Sequence, residues 1–196
     1  MPLNTAVVSV PASRSLETAR LIPRKALAHV LPQFELEHPY GGIHGVPHWS
    51  RVWYHGRALA AAHDVNPCIT AWFAYLHDSR RQNDGYDPLH GHRAADFAVK
   101  LRRLGIVDEL SNTEFEWLCE AMRLHSDGHT ESEMAIMACW DADRLDLARV
   151  RITPHPDRLC TRYARRFQTI YQAERFACRK PRRSFRTSAD FSTDDR

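Results

Sequence analysis

The sequence predicts an all-α protein, and three features of the chain indicate it. Apolar residues recur at spacings of three, four and seven along most of the 196 residues, as in helices with one buried face. No segment shows the sustained apolar–polar alternation that is typical of strands. Proline, glycine and capping residues stand at the ends of the periodic segments. We therefore expect a helical bundle.

Three helices are predicted in the first half of the chain. Pro47 and Pro67 stand where helices begin, because proline is favoured in the first helical turn. The second of these helices, PCITAWFAYL, is apolar throughout and is expected to be buried. Asp87 is expected to cap a third helix, which begins at Pro88 and ends before Gly105.

The second half of the chain continues in the same way. Asn112 is expected to cap a fourth helix, which the turn-forming segment SDGHT interrupts. Residues 131–150 indicate one or two further helices, and a last helix is expected from Asp157 to Arg175. The predicted organisation is a loosely ordered extension (1–25), a helical domain (26–176) and a basic, disordered tail (177–196).

Composition narrows the classes of protein to consider. No run approaches the roughly 20 consecutive apolar residues of a spanning helix, and the N-terminus lacks the basic region of a signal peptide. The five cysteines are widely spaced without a CxxC pair, which favours reduced thiols in a cytoplasmic protein. From Arg158 to Arg186, ten basic residues accompany one acid. A solvated helix face explains them more simply than binding to nucleic acid or another polyanion. The oligomeric state is not predicted.

Histidines and aspartates stand at several predicted helix ends. His77 and Asp78 end the apolar helix, where an imidazole and a carboxylate are costly to bury unless a cation satisfies them. Asp141 similarly follows the apolar run MAIMACW. Such a set predicts a divalent metal site with positions left open for water or substrate. The candidate ligands are His48, His77, Asp78, His90, His125 and Asp141.

Each candidate also has a simpler structural role. His48 is placed to satisfy a helix N-terminus, and Asp78 is placed to form an ion pair with Arg80 or Arg81. Asp141 can belong to a solvated acidic face or cap the helix that follows it. The ordered arrangement of the candidates, each at a helix edge, favours the metal site.

The motifs HGVPHWSRV, YLHDSRR, HGHRAA and WDADRLDL, in this order, resemble the signature of the HD-domain superfamily of metal-dependent phosphohydrolases. The resemblance covers about residues 40–155 and is greatest to small bacterial members described as hydrolases. It implies an HD-domain-like helical bundle with a metal site in its core. The first metal would be bound by His48, His77, Asp78 and Asp141.

The resemblance also implies a second, less strongly indicated metal site. His90 and His125 would complete it, with His92 and His129 as rivals for the two positions. Asp78 would bridge the two metals in this arrangement. The metal itself is not specified, since Mn, Fe, Ni, Zn and Mg all accept imidazole or carboxylate ligands to some degree.

The activity implied is hydrolysis of a small phosphate ester, with a nucleotide as one candidate, by a metal-activated water. Arg80 and Arg144 are the preferred candidates for binding phosphate, ahead of Arg81. His44 is expected to line the pocket or to transfer a proton. The alternatives are a mixed-valent diiron oxygenase of the HD type and a catalytically silent module that binds a ligand or polyanion.

Overall fold

The computed structural model describes residues 12–178 of the protein. Seven α-helices and three short 3-10 helices form this part of the chain, and it contains no strand. The all-α prediction is therefore confirmed. The α-helices are α1 (Ala12–Val30), α2 (Val46–His63), α3 (Pro67–Leu76), α4 (His90–Arg103), α5 (Asn112–Leu124), α6 (Met134–Arg144) and α7 (Phe167–Ala177). The 3-10 helices are Leu31–Gln33, Leu147–Val150 and Pro156–Arg158.

Helix α3 forms the centre of the bundle. All of its residues from Cys68 to Leu76 are buried, as expected for a helix that is apolar on every side. It packs against α1, α2, α5 and α6, and it also contacts α4. The residues that directly follow α3 are therefore held in the interior of the molecule.

Helix α1 packs along α3 through a stripe of small and branched side chains. Ala19, Ile22 and Ala26 recur at helical spacing and are almost completely buried. The predicted boundary at residue 25 therefore falls inside a packed helix. Residues 1–11 of the predicted extension and residues 179–196 of the predicted tail lie outside the described residues.

Helices α2 and α3 begin where the sequence predicts, and the cap of α5 differs by one residue. Pro47 lies in the first turn of α2, and Pro67 is the first residue of α3. Ser111 caps α5 in place of Asn112, because its hydroxyl accepts from the amide of Glu114 while the Glu114 carboxylate accepts from the Ser111 amide. This reciprocal capping box satisfies two backbone donors at once.

The starts of α4 and α7 differ from the prediction for identifiable reasons. The Asp87 carboxylate does not cap α4, because it accepts hydrogen bonds from the Gln82 amide and from Arg93. Helix α7 begins at Phe167, ten residues after the predicted start. The backbone amides of Cys160 and Thr161 donate to the Asp141 carboxylate of α6. These hydrogen bonds divert the chain after the 3-10 helix Pro156–Arg158, so that no continuous helix forms.

The composition predicts that the chain has no membrane-spanning helix and that its cysteines are reduced thiols. No helix within residues 12–178 has the length and apolar character required to cross a membrane. None of the five cysteines, all of which lie within the described residues, forms a disulfide bond. Burial raises the pKa of the Cys68 and Cys139 thiols, so neither is a reactive thiolate near neutral pH.

Candidate metal centre

Four imidazoles and two carboxylates converge where five helices begin or end. His48 lies in the first turn of α2, and His77 and Asp78 directly follow α3. Helix α4 begins at His90, and His125 directly follows α5. The second carboxylate belongs to Asp143, near the end of α6. The converging residues are His48, His77, Asp78, His90, His125 and Asp143.

The first cluster consists of two histidines and two aspartates. The Nε2 atoms of His48 and His77 are 3.1 Å apart. The Oδ2 atom of Asp78 lies 3.5 and 3.6 Å from these two nitrogens. The Oδ1 atom of Asp143 lies 3.3 and 3.6 Å from the same nitrogens. One oxygen of each carboxylate therefore lies within 3.6 Å of both histidine nitrogens.

The second cluster lies on the other side of Asp78. The Nε2 atoms of His90 and His125 are 2.8 Å apart. The Oδ1 atom of Asp78 lies 3.2 Å from His90 Nε2 and 3.7 Å from His125 Nε2. The two oxygens of one carboxylate thus face different histidine pairs, which is the arrangement of a bridging ligand.

A glycine permits the close approach of α4 and α5 at the second cluster. A Cβ atom on Gly91 would lie 2.1 Å from the carbonyl oxygen of Met122 and 3.2 Å from Nδ1 of His125. Only a residue without a side chain fits this position. Gly91 therefore allows His90, its neighbour in the chain, to reach His125.

The hydrogen bonds of the four histidines leave their Nε2 atoms available as ligands. Nδ1 of His48 donates to the Asp146 carboxylate at 2.7 Å. Nδ1 of each of the other three histidines (His77, His90 and His125) donates to a backbone carbonyl three or four residues earlier in the chain. Because these oxygens accept, Nδ1 carries the ring proton, and the neutral imidazole presents a lone pair at Nε2. Two facing lone pairs repel unless a cation lies between them, so the donor set fits divalent metals.

The electrostatics of the centre also favour a cation. Burial alone would raise the pKa of Asp78 and Asp143, but the surrounding imidazoles hold both well below the usual range. Burial and the charge of Arg149 act to lower the pKa of His48, but the nearby carboxylates raise it to about 9. The carboxylates thus attract positive charge to this imidazole, and a metal ion would take the place of the proton on its Nε2. The Oδ1 atom of Asp143 is buried and has no hydrogen-bond partner among the described residues. Such an atom requires a ligand or a cation to satisfy it.

A second layer of charge supports the first cluster. Asp146 is fully buried and accepts from His48 and, at 2.6 Å, from Nε of Arg51. A carboxylate behind a histidine fixes the ring orientation and raises its basicity toward a metal. Sequence analysis did not assign Asp146 or Arg51 to the site. The spacing of three residues from His48 to Arg51 and from Asp143 to Asp146 could have indicated both.

The structure places Asp141 outside the metal cluster. Its two oxygens accept from the amides of Cys160 and Thr161, each at 2.7 Å. Positions two residues apart on a helix point in nearly opposite directions. Asp143 therefore faces the histidines, while Asp141 anchors the chain that leads to α7. The structure thus brings Asp143 to the histidines, and not Asp141, which sequence analysis had predicted there.

Neither of the two preferred arginines reaches the cluster. Arg80 pairs with Glu35 at 2.9 Å and packs over the ring of Phe97. Arg144 donates to the carbonyl of Arg158 and packs over the indole of a tryptophan in α6. Their guanidinium groups make structural contacts in the described chain, so the structure does not bring them to the cluster as sequence analysis had predicted.

Arg81 is the arginine that lies at the centre. Its Nη1 is 3.7 Å from Oδ1 of Asp78, and its Nη2 donates to the carbonyl of Gly85 at 3.0 Å. Its Nε is buried without a hydrogen-bond partner among the described residues. Sequence analysis ranked Arg81 below Arg80. The directions of these two side chains depend on how the chain turns after α3, and the sequence pattern does not show that turn.

His44 lies beside the same centre. Its Nδ1 is 2.8 Å from Oδ1 of Asp84, and this contact joins the loop before α2 to the loop before α4. Burial lowers the pKa of His44, and the charges of Asp78, Arg81 and Arg149 also act on it. Arg149, which sequence analysis did not single out, follows α6 in a 3-10 helix. The surroundings of the cluster thus include one buried histidine and two arginines.

Comparison with known proteins defines the fold. No family model and no curated protein matches the chain. The structure is similar to the crystal structure of a predicted HD superfamily hydrolase from an uncultured Thermotogales bacterium. The TM-score is 0.56 at 22% sequence identity, and the match covers 90% of this chain and 92% of that chain. The protein therefore has an HD-type helical fold, with buried histidines and aspartates that can hold a metal in its core.

Proposed function

We propose that the protein is a metal-dependent phosphohydrolase that cleaves a small phosphate ester with an activated water. The proposal depends on one observation, the position of Asp78 with one oxygen toward each histidine pair. The HD-type fold supports it, since the similar crystal structure is described as a predicted hydrolase. A nucleotide is one candidate for the ester.

The chain offers ligands for two divalent ions. The first ion would be held by His48, His77, Asp78 and Asp143, and the second by Asp78, His90 and His125. When bound, such ions lower the pKa of water from about 15.7 toward 7 and neutralise developing charge on phosphate oxygens. The donors are imidazoles and carboxylates, which suit Mn, Fe, Ni or Zn and do not select among them.

Arg81 is the proposed phosphate-binding residue. It is nearly buried and stands beside the bridging carboxylate, so its charge is only weakly screened by water. A guanidinium group binds two phosphate oxygens in a planar, bidentate contact. We therefore expect Arg81 to orient the ester and to stabilise the negative charge that develops during hydrolysis.

His44 is the proposed proton donor to the leaving group. The Asp84 carboxylate accepts from Nδ1 and stabilises the protonated ring against the effect of burial, so that Nε2 can carry the proton that passes to the leaving oxygen. A carboxylate behind an imidazole also fixes its orientation. Replacing His44 should therefore slow hydrolysis of esters with poor leaving groups more than hydrolysis of activated esters.

The test is release of inorganic phosphate from a panel of nucleotides and phosphomonoesters by the metal-loaded protein. We expect activity that requires a divalent ion and is lost in His77→Ala and Asp143→Asn variants. His92→Ala is the matched control, because His92 is an exposed histidine of α4. A metal-loaded protein that is inert across the panel would contradict the proposal.

A diiron oxygenase is the second candidate function. The observation that favours it is the set of four histidines around one bridging carboxylate, because imidazole and carboxylate ligands also suit iron. Anaerobically iron-loaded protein would then consume oxygen with a suitable substrate and show an electron paramagnetic signal of an iron pair. A catalytically silent module is less well supported, since a full set of donors is present.

A further inference from the structure

The segment from Arg158 to Cys178 is strongly basic and exposed. It contains five arginines and one acid, Glu174. None of these arginines forms an ion pair with a carboxylate within residues 12–178, although several arginines near the metal centre do. The exposed arginines are Arg158, Arg162, Arg165, Arg166 and Arg175.

Exposed aromatic rings lie among these arginines. Phe167 is 80% exposed and Tyr171 is 41% exposed. Their rings stack with centroids 6.0 Å apart and planes inclined by 16°. The guanidinium of Arg175 lies 5.5 Å from the ring of Tyr171, and that of Arg166 lies 5.4 Å from the ring of Tyr163. The surface thus alternates positive charge with flat apolar faces.

Two adjoining cavities extend this surface along α2. Their volumes are about 300 and 630 Å³, and Tyr163 lines both. Arginines and histidines line them, and none of the described residues that line them is acidic. The Nε2 atoms of His55 and His63 are buried there without hydrogen-bond partners among the described residues. The region is therefore complementary to an extended anion that carries polar groups.

We propose that this arginine–aromatic surface binds single-stranded nucleic acid. We define the surface by Arg162, Arg165, Arg166, Phe167, Tyr171 and Arg175. Arginines follow a phosphate backbone without reading sequence, and exposed rings stack on unpaired bases. A lipid surface would favour a continuous apolar face, whereas here the two exposed rings of α7 stand between arginines. The proposal does not depend on the activity of the metal centre.

The test measures binding of the full chain to a fluorescent oligothymidylate of about 12 nucleotides by anisotropy. We expect affinity to fall steeply between about 50 and 200 mM salt, because bound phosphates release counterions. The R162A/R166A double variant should bind roughly tenfold or more weakly and show a smaller salt dependence. The F167A/Y171A double variant should also bind more weakly but keep the salt dependence of the parent protein.

The K100A/R103A double variant is the matched control, since it removes two exposed charges from α4. It should bind as the parent protein does, and circular dichroism should show all variants folded. Equal loss in the control would show attraction to net charge only and would overturn the proposal. So would equal affinity for a duplex of the same length. Binding to vesicles rich in phosphatidylserine, with none to the oligonucleotide, would assign the surface to membranes instead.

Discussion

The two histidine pairs that share Asp78 are held in different ways. The first pair faces a second carboxylate, Asp143, and is supported by the buried contact between His48 and Asp146. The second pair has Asp78 as its carboxylate, and backbone carbonyls orient its rings. Both pairs can bind a metal, but the first offers more charge and more donors. We therefore expect tighter binding at the first cluster than at the second.

Accessibility also differs between the two clusters. The side chain of Asp143 is 15% exposed, whereas those of His90, His125 and Asp78 are at most 5% exposed. We therefore expect a substrate to approach from the Asp143 side, whereas Arg81 contacts Asp78 at the oxygen that faces the second cluster. The first cluster is therefore open to solvent only at Asp143, because the side chains of His48 and His77 are fully buried.

Removing the shared ligand should have the largest effect. Asp78→Asn takes one charge from both clusters, so we expect both metals to be lost and phosphate release to fall to background. Metal analysis of protein purified without chelator measures the first effect. Retention of two ions per chain in this variant would show that Asp78 does not bridge the clusters.

Variants of the second cluster should separate it from the first. His90→Ala should reduce the metal content by one ion per chain, whereas His92→Ala should leave it unchanged because His92 is exposed. Gly91→Ala should act like His90→Ala, since its Cβ would collide with the carbonyl of Met122. Full occupancy in both His90→Ala and Gly91→Ala would contradict the assignment of a second site.

Loss of the supporting carboxylate should affect the first cluster alone. Asp146→Asn keeps the size of the side chain but removes the charge behind His48, so metal affinity should fall about 10- to 100-fold. Competition with a chelator, measured for each of the two ions, gives this affinity. An equal loss at both clusters would indicate a general disturbance of the fold.

The smallest effect on metal content is expected at Asp141. Asp141→Asn removes one of the two hydrogen bonds accepted from backbone amides, because an amide nitrogen cannot accept, and should lower the free energy of unfolding by about 1–3 kcal/mol. Urea denaturation measures this change, and the metal content should stay that of the parent protein. Loss of metal with unchanged stability would instead restore Asp141 as a ligand.

The sequence was sufficient to predict the fold class and most of the histidine positions. Periodicity and proline positions indicate the helices, and His48, His77, His90 and His125 follow from their places at helix ends. The choice between Asp141 and Asp143 depends on the rotation of α6 about its axis, since both lie in one short polar segment. An apolar pattern does not determine that angle to within one residue.

The arginines were harder to predict for a related reason. Arg80 and Arg81 lie in the turns after α3, where no helical period relates side-chain direction to position. Arg144 is in α6 but packs against the chain near Arg158, a long-range contact that local sequence does not show. Contacts of this kind appear only once the whole chain is folded.

In the proposed site, Asp78 binds one metal ion through each of its two carboxylate oxygens. The most direct measurement is an anomalous difference map from crystals of the metal-loaded protein. We expect two peaks about 3.5–4 Å apart on either side of the Asp78 carboxylate, with Asp143 at the first and His90 and His125 at the second. One peak centred away from Asp78, or a peak coordinated by Asp141, would contradict this expectation.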